Sequence, residues 1–326
     1  MSPVEEQMIN PNYSLDEIET GFFNYLSGRI GNFTVIEHLE QMEGGNEAYL
    51  YKFRISGIED YDGKLVLRLF PSYNHPETAD WQAMIHNLLR EEGLPVPRVY
   101  LTTSDTSILG GSFLVMDYVE GEAVDPGVDP SILVLTAKTQ AMLHLKEGKK
   151  MSEKIIAQGH SPGSHNFDGR INWLVNHAKE YPSLDEAVNW LVENRPVEPE
   201  TKSIIHGDFH PMNLLVNDGA VNAILDWSGF MVGDPMYGLG WTKALFIATG
   251  KSELPEDVFN QLVQMYFDAY ESVRPIDYAK VDYYVVYRLV RALLEGKEGQ
   301  EVWTRPIIVK NIIKEIKEMT SILIQI

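Results

Sequence analysis

Residues 203–230 read SIIHGDFHPMNLLVNDGAVNAILDWSGF and place two histidines, three aspartates and several asparagines between short apolar runs. Polar side chains of this kind are costly to hold beside the core of a sheet unless each has a partner. Three kinds of site are compatible with this composition: a metal-binding hairpin, an acid/base catalytic loop and a well-capped turn. The spacing of the residues helps to choose among them.

Two carboxylates and one amide of this stretch have the spacing of a phosphoryl-transfer site. Asp208 and Asn213 form the pattern D-x₄-N, and Asp226 directly follows the apolar run that ends at residue 225. Two strands joined by a turn at 217–219 would bring the three side chains to one end of a hairpin. Carboxylate and amide oxygens suit Mg²⁺ rather than Zn²⁺. The pattern matches the catalytic and metal-binding loops of kinases, with Asp208 as the base and Asn213 and Asp226 as Mg²⁺ ligands.

A zinc site is the alternative use of the same stretch, through His206 and His210. Two histidines four residues apart share one face of a helix, but Gly207 and Pro211 interrupt any helix here. The chain contains no cysteine that would complete a zinc ligand set. We therefore expect His206 to hydrogen-bond the backbone beside the loop and His210 to lie near the site without an assigned role.

The segments before residue 119 predict a small β-rich lobe with one main helix. Three runs rich in β-branched and aromatic residues suggest an antiparallel meander, with a hairpin turn at Asp62-Gly63. A helical pattern follows, and then two further strands. The predicted strands are 33–40, 48–56, 64–70, 96–103 and 111–119, and the predicted helix is 76–94.

The rest of the chain predicts a larger and mostly helical lobe. The segments with helical periodicity are 130–147, 183–194, 256–273, 278–296 and 306–324. The last of these is amphipathic, so a membrane-surface or partner helix is an alternative to the favoured core-packing helix. The predicted fold class is α+β, with an N-terminal lobe over residues 1–118 and a C-terminal lobe over 119–326.

Composition narrows the functional classes. The 326 residues carry a formal net charge of −20, which disfavours nucleic-acid binding because that affinity depends on clustered Lys and Arg. The charge is compatible with a cationic substrate, with attraction of Mg²⁺, or with solubility alone. No apolar run approaches the roughly 20 residues that cross a bilayer, and the N-terminus lacks the features of a secretory signal. We expect a cytoplasmic protein that has no membrane partner.

The motif HGDFHPMN followed by AILDWSGFMVGDP resembles the aminoglycoside phosphotransferase family, the bacterial small-molecule relatives of protein kinases. The segments FLVMDYVEGE, LTAKTQAMLHLKE and VDYYVVYRLVRALLEG are also similar to segments of that family, so the resemblance covers residues 33–295. The resemblance implies a bilobal protein-kinase-like fold and use of ATP or GTP with Mg²⁺. It also implies a hydroxylated small-molecule acceptor such as an aminoglycoside, a macrolide or a choline-like amine.

The resemblance assigns nucleotide contacts in the N-terminal lobe. Gly44, Gly45 and Asn46 fit the phosphate loop of the family, although a plain hairpin turn is an equal alternative. Arg68 stands where kinases carry a lysine on the third strand, and its alternative is a solvent-facing arginine. Its helix partner stays unassigned among Glu77, Asp80 and Gln82.

The hinge segment implies that Met116, Asp117 and Val119 contact the nucleotide. Further along, Asp234 matches the acidic residue that steadies the catalytic loop in the family. Two positions depart from the family pattern: Gly238 replaces a second acidic residue, and Ser228 follows Asp-Trp where many relatives carry Glu or Gly.

Two other functions are compatible with this fold. One is a catalytically idle nucleotide-binding regulator, which the complete set of Asp208, Asn213 and Asp226 disfavours. The other is a protein kinase, which is disfavoured because no activation segment ending in Ala-Pro-Glu follows Asp226.

Overall fold

The computed structural model of the protein describes residues 13–42, 48–251 and 253–325. Gly44, Gly45 and Asn46, predicted to form the phosphate loop, lie outside these described residues. The chain forms two compact units. The first contains the residues up to Glu122 together with Leu215–Leu225, and the second contains Ala123–Leu214 and the residues from Asp226 onward.

The first unit is built on a five-stranded antiparallel sheet in the order β1-β2-β3-β5-β4. Its strands are β1 (Thr34–Gln41), β2 (Tyr49–Ser56), β3 (Lys64–Leu69), β4 (Val99–Thr103) and β5 (Phe113–Asp117). The predicted meander of the first three strands and the two later strands are confirmed. The connection from β2 to β3 is longer than a two-residue turn, because a 3₁₀ turn at Glu59–Tyr61 precedes Asp62 and Gly63.

One helix packs on each face of this sheet. The predicted helix is confirmed as α2 (Thr78–Glu91), and it packs with Val66 and Phe70. The opposite face of β3 packs against α1 (Leu15–Ile30), which was not predicted. Ser14 and Glu17 form a capping box at the start of α1, which stabilises its first turn. Two glycines and three neighbouring aromatic residues weaken the helical pattern of α1 in the sequence.

The hairpin predicted within residues 203–230 is confirmed. It consists of β7 (Leu214–Asn217) and β8 (Ala220–Ile224). Asp218 and Gly219 join the strands with φ of +50° and +76°. Positive φ at both positions is the geometry of a type I′ turn, which explains the Asp-Gly pair.

The second unit is mostly helical. Its helices are α3 (Ile132–His144), α4 (Lys149–Ala157), α5 (Phe167–Ala178), α6 (Asp185–Glu193), α7 (Pro235–Leu245), α8 (Glu256–Glu271), α9 (Tyr278–Lys297) and α10 (Pro306–Thr320). The helix α9 is buried over most of its circumference and forms the centre of the core. The helix α10 buries Ile308, Ile312 and Ile316 in the same core, as the favoured interpretation of this segment predicts. In the part of the chain that is described, no helix is both long and apolar enough to cross a bilayer.

Three helices of this unit, α4, α5 and α7, were not predicted. The helix α7 is buried on nearly every side and contains two glycines, so it shows no amphipathic pattern. A short strand pair was also missed: β6 (Ser203–Ile205) pairs antiparallel with β9 (Met231–Gly233). Strands of three residues are too short for alternation to reveal them.

Candidate active site

Two loops of the second unit, one after β6 and one before β9, are held in contact. The β6–β9 pairing places Ile205 opposite Met231, so the chain segments that contain Asp208 and Asp226 begin next to each other. Gly207 has φ of +85°, and a Cβ at this position would collide with the carbonyl oxygen of Gly229. A glycine is required here both for the backbone conformation and for the close approach.

His206 supports this contact from a buried position. Its ring is buried, lies 4.6 Å from the Trp227 ring and 5.5 Å from the Phe209 ring, centroid to centroid. The backbone N–H of Asp208 donates to its Nδ1 at 3.3 Å, so the predicted backbone contact is confirmed. Across the described residues, no group of three or more His, Cys, Asp or Glu side chains is arranged to hold a metal ion. The zinc alternative therefore has no ligand set in the described part of the chain.

The Asp208 carboxylate is held by two neighbours. Trp241 Nε1 donates to Oδ1 at 3.0 Å, and His210 Nε2 lies 3.7 Å from Oδ2. Burial by itself would raise the pKa of Asp208, but His210 and then the Trp241 hydrogen bond outweigh it and lower this pKa to about 2. The carboxylate is therefore ionised at neutral pH. About a third of its side-chain surface, 36%, stays exposed.

Trp241 is a site residue that the sequence did not identify. It lies on α7, whose first turn is capped by the Asp234 side chain through the N–H of Met236. The buried Asp234 carboxylate also pairs with Lys280 Nζ at 2.8 Å, which ties α7 to α9. The next residue on α7, Thr242, donates to the Phe209 carbonyl at 2.8 Å. Asp234 thus supports the Asp208 loop indirectly, by fixing the helix that contacts it.

Asn213 lies on the same loop as Asp208. Its Nδ2 donates to the Asp208 carbonyl oxygen at 2.9 Å and contacts His210 Nε2 at 3.1 Å. A carbonyl oxygen accepts only from a donor, so this contact fixes which end of the amide is the NH₂ group. The other end of the amide, the oxygen, is the atom of Asn213 that can act as a ligand.

Asp226 adopts a left-handed backbone conformation with φ of +55° and ψ of +73°. Its Oδ1 accepts from the backbone N–H of Ser228 at 3.4 Å. Non-glycine residues in this conformation are uncommon and often found at functional sites. Mg²⁺ in nucleotide sites takes one or two protein carboxylates together with phosphate oxygens and waters. The oxygens of Asn213 and Asp226 are chemically suited to such an ion.

The residues assigned to nucleotide binding in the first unit lie on β3 and β5. Arg68 is 8% exposed, which rules out the solvent-facing alternative, and its guanidinium carbon lies 5.1 Å from the Phe70 ring centroid. Met116 and Asp117 end β5, and Val119 follows two residues later. The Asp117 carboxylate accepts from the backbone N–H of Arg98 and from the Tyr100 hydroxyl, so it fastens β4 to β5.

The possible helix partners of Arg68 differ in their surroundings. Asp80 accepts from Thr102 Oγ1 at 3.0 Å, and Glu77 lies at the start of α2. Gln82 is buried on α2, and its Oε1 has no hydrogen-bond partner among the described residues. The packing thus places a glutamine rather than a carboxylate at the buried position of this helix.

The five-stranded sheet, the mostly helical second unit and the paired loops that carry Asp208, Asn213 and Asp226 are the features expected of a phosphotransferase with a protein-kinase-like fold. The model of the phosphotransferase enzyme family, APH, matches residues 38–284. The chain therefore belongs to the phosphotransferase enzyme family.

Solved structures show the same fold. A thermostable mutant of the aminoglycoside phosphotransferase APH(4)-Ia, in a ternary complex with AMP-PNP and hygromycin B, is 15% identical with a TM-score of 0.59; the match covers 90% of this chain and 98% of that chain. The macrolide 2′-phosphotransferase MphH from Brachybacterium faecium is 19% identical with a TM-score of 0.53, covering 94% of this chain and 97% of that chain. At these identities the similarity establishes the fold.

Sequence relatives are longer proteins. Acyl-CoA dehydrogenase family member 11 of Gallus gallus is 28% identical over 210 residues, which cover 58% of this chain and 26% of the relative. The chain spans about a quarter of the length of the curated relatives it matches. The similarity therefore concerns a minor part of those proteins.

Proposed function

We propose that this protein transfers the γ-phosphoryl group of ATP or GTP to a hydroxyl group of a small molecule. The observation that carries the proposal is the ionised Asp208 carboxylate. Asp208 lies on the same loop as Asn213, and its carboxylate accepts a hydrogen bond from Trp241 on α7. Membership of the phosphotransferase family and the nucleotide analogue bound by the solved aminoglycoside phosphotransferase support it.

In the proposed reaction, Asp208 orients the acceptor hydroxyl by accepting its hydrogen bond. The hydroxyl oxygen attacks the γ-phosphorus, and the new O–P bond forms as the bond from the γ-phosphorus to the bridging oxygen breaks. The nucleoside diphosphate leaves with that electron pair, and Asp208 takes the hydroxyl proton. The lowered pKa makes Asp208 a weak base, so its main contribution would be to orient the hydroxyl, and the proton would move late, once the hydroxyl oxygen has become acidic.

Asn213 and Asp226 would hold Mg²⁺ through the amide oxygen and the carboxylate. When bound, the ion neutralises charge on the β- and γ-phosphate oxygens. The hydrogen bond from Asn213 Nδ2 to the Asp208 carbonyl fixes the amide orientation, so its oxygen is already directed away from the loop backbone. His210 would keep the Asn213 side chain and the Asp208 carboxylate at a constant separation.

Residues of the first unit would bind the nucleotide. Arg68 would pair with phosphate oxygens through its planar guanidinium, and Met116, Asp117 and Val119 would contact the base. The Asp117 carboxylate is already used by β4, so its contribution would come from the backbone. Gly44, Gly45 and Asn46 keep the same proposed role in the phosphate loop.

The test is nucleoside diphosphate release with Mg²⁺ and a panel of hydroxylated acceptors, comparing the wild type with Asp208→Ala and Asp226→Ala. Loss of the base is expected to lower kcat by roughly 10²- to 10⁴-fold. Asp226→Ala is expected to lower activity at limiting Mg²⁺ more than at high Mg²⁺. The matched control is Asp62→Ala, since Asp62 is exposed and lies on the connection before β3.

Full activity in folded Asp208→Ala and Asp226→Ala would refute the mechanism. Nucleotide binding in calorimetry with no turnover across the panel would contradict the proposal and favour a non-catalytic nucleotide-binding protein. Circular dichroism and thermal unfolding of each variant separate loss of chemistry from loss of fold.

A further inference from the structure

A short turn follows Asp226, and a side chain bonds to each of its ends. It is the 3₁₀ turn Trp227–Gly229, and the Asp226 carboxylate accepts from a backbone N–H at its start. At the other end, Arg170 Nη2 donates to the carbonyl oxygens of Gly229 and Phe230 at 3.0 and 3.1 Å. The last carbonyls of a helical turn lack partners within the turn, and an arginine side chain can supply them. Arg170 therefore closes the turn that Asp226 opens.

The Gly229 carbonyl that Arg170 holds is also the point of contact with the Asp208 loop. A Cβ at Gly207 would lie 1.9 Å from this oxygen, and a Cβ at Gly229 would lie 2.9 Å from the Gly207 carbonyl carbon. Gly207 directly precedes Asp208 in the chain. Arg170 therefore acts at the place where the loops of Asp208 and Asp226 meet.

The helix that carries Arg170, α5, is fixed at its first turn. Asn166 caps it by accepting from the backbone N–H of Gly169 at 3.0 Å. A Cβ at Gly169 would lie 1.8 Å from the Gly163 carbonyl oxygen, so the start of the helix packs directly on the preceding turn. The carbonyl oxygen of Arg170 itself accepts from the Tyr287 hydroxyl of α9 at 3.2 Å. The guanidinium group thus projects from a part of the backbone that is anchored on two sides.

The same core supports the loops of both carboxylates. Phe167 of α5 packs against Tyr237 of α7 and Tyr287 of α9, with ring centroids 5.8 and 5.1 Å apart. The helix α7 also carries Trp241, which donates to the proposed base. The positions of the Asp208 loop and of the turn after Asp226 are therefore set by helices that pack on one another.

The backbone of Asp226 needs support of this kind. Its φ of +55° and ψ of +73° are unfavourable for a residue with a side chain, and such a conformation persists only where the surrounding structure fixes it. The hydrogen bond that its Oδ1 accepts from the Ser228 N–H is 3.4 Å long, beyond the usual range for N–H···O bonds. The hydrogen bonds of Arg170 to the end of the turn are shorter, at 3.0 and 3.1 Å.

We propose that Arg170 is a positioning residue for Asp226. By holding the end of the turn, it keeps the Asp226 carboxylate where that group and the Asn213 amide oxygen can bind Mg²⁺. This inference rests on the proposed function and adds the residue that prepares its metal-binding loop. Residues that orient metal ligands from behind typically change metal affinity or activity by roughly 10- to 100-fold when they are replaced.

Arg170→Gln in the full chain is the principal variant, and the first measurement is ADP release at increasing Mg²⁺ concentration. The Mg²⁺ concentration that gives half-maximal activity is expected to rise roughly 10- to 100-fold. The KM of the acceptor should stay unchanged, and activity should recover at high Mg²⁺. Arg170→Lys keeps the charge but loses the fixed geometry of the guanidinium, so a smaller rise is expected.

Metal binding is also measured without turnover. Mn²⁺ is the probe in place of Mg²⁺, AMP-PNP is the unreactive nucleotide, and electron paramagnetic resonance separates protein-bound from free Mn²⁺. Arg170→Gln is expected to weaken Mn²⁺ binding by a similar factor. In an Asp226→Ala background the same substitution should cause no further loss, because a residue that acts through Asp226 then has no ligand to position.

Arg195→Gln is the matched control, because it removes a different contact of α5. Arg195 pairs with Asp168 at 2.6 Å, and its guanidinium carbon lies 5.2 Å from the Phe167 ring centroid. Its replacement weakens the anchoring of the first turn of α5 but leaves the Arg170 side chain in place. Mg²⁺ and Mn²⁺ dependence should match the wild type, and circular dichroism with thermal unfolding establishes that each variant is folded.

Unchanged Mg²⁺ dependence in folded Arg170→Gln would refute the inference and leave the proposed phosphoryl transfer intact. Equal shifts in Arg170→Gln and Arg195→Gln would also refute it, because the effect would then come from a general loosening of α5. Additive losses with Asp226→Ala would show that Arg170 does not act through Asp226.

Two further outcomes are decided by the remaining measurements. If no acceptor is turned over, the inference is refuted when the wild type binds no Mn²⁺ or when Arg170→Gln binds it equally well. If Arg170→Gln does not fold, Arg170→Lys takes its place, and wild-type metal dependence in that variant refutes the inference.

Discussion

At the scale of single residues, the hydrogen bond from Trp241 to Asp208 links the core of the second unit to the proposed chemistry. Trp241→Phe keeps an aromatic ring beside Arg288, whose guanidinium carbon lies 4.2 Å from the Trp241 ring centroid, but removes the Nε1–H. We expect kcat to fall about 10-fold, the cost of one hydrogen bond to a charged group, with KM for ATP unchanged. The kcat and KM values of the folded variant are measured from pH 6 to pH 8.

The pH range of that experiment separates positioning from protonation. Loss of the indole hydrogen bond raises the pKa of Asp208 from about 2, and the usual value of an aspartate is 3.8, so the carboxylate remains ionised at pH 6. Activity of Trp241→Phe should therefore not recover as the pH rises. Recovery at pH 8 would contradict a positioning role. Trp190→Phe is the control. Trp190 lies on α6 and stacks on Tyr283 of α9.

The sequence pattern alone suggests the three main residues of the candidate site. Asp208, Asn213 and Asp226 follow from the requirement of phosphoryl transfer for a base and hard oxygen ligands at a fixed spacing. Trp241 was not predictable, because a tryptophan in a buried helix is typical of core packing. Only the orientation of its N–H distinguishes the two uses, and that orientation is a property of the folded helix pair.

At the scale of elements, the close approach of Gly207 and Gly229 decides whether the two loops meet. Gly207→Ala places a methyl group against the Gly229 carbonyl and also requires φ of +85° from an alanine. We expect a loss of unfolding free energy of about 2 kcal/mol or more, together with loss of phosphoryl transfer. Urea unfolding and ADP release are the measurements.

Gly219 allows the effect of backbone strain to be measured apart from the effect of a steric collision. Gly219 has φ of +76° in the β7–β8 turn, but a Cβ there meets nothing within 4 Å. Gly219→Ala should therefore cost only about 1 kcal/mol and leave transfer largely intact. Equal destabilisation by Gly207→Ala and Gly219→Ala would show that the close contact between the two loops contributes nothing to the free energy of unfolding.

Elements with a strong local signal were predicted, and those defined by burial were not. The meander, α2 and the Asp-Gly hairpin have alternation, helical periodicity or turn residues of their own. The helix α7 lacks a polar face because Tyr237, Leu239 and Trp241 are all buried. Helices of that kind are stabilised by tertiary packing, which a sequence pattern does not record.

At the scale of the whole molecule, a buried histidine makes the second unit sensitive to acid. His144 ends α3, is 1% exposed, and contacts the Tyr270 hydroxyl through Nδ1 at 2.7 Å. Burial, assisted by the charges of Arg274 and His206, lowers the pKa of His144 to about 3 from the usual 6.5. Gly238 packs against the His144 ring, where a Cβ would lie 2.7 Å from Nε2, so the acidic residue expected at position 238 has no space.

The lowered pKa of His144 decides whether the stability of the folded protein rises or falls with pH. Between pH 6.5 and about 3 the unfolded chain binds a proton at His144 that the folded protein does not. The stabilisation is complete above pH 6.5 and is lost as the pH falls, by up to about 1.4 kcal/mol per pH unit. We expect His144→Gln to be less stable at pH 7 but to lose stability less steeply between pH 7 and pH 5.

Urea unfolding at pH 7, 6 and 5 measures this difference in slope. Burial also lowers the pKa of His165, so His165 adds to the pH dependence of stability in both the wild type and His144→Gln. Only the difference in slope between these two proteins is therefore assigned to His144. His75→Gln, at an exposed position, should follow the wild type. Parallel curves for wild type and His144→Gln would contradict the assignment.

The sequence by itself determined the class of fold and the three residues of the proposed chemistry, because strand alternation, turn residues and the D-x₄-N spacing are local properties of the chain. The net charge of −20, also a property of the sequence, is compatible with a cationic substrate. Only the tertiary structure placed Trp241 Nε1 within hydrogen-bond distance of Asp208 and stacked the Arg288 guanidinium on the same indole ring. Charges brought together by packing act over a few ångströms in a low-dielectric interior, whereas charges spread over the surface are screened by salt.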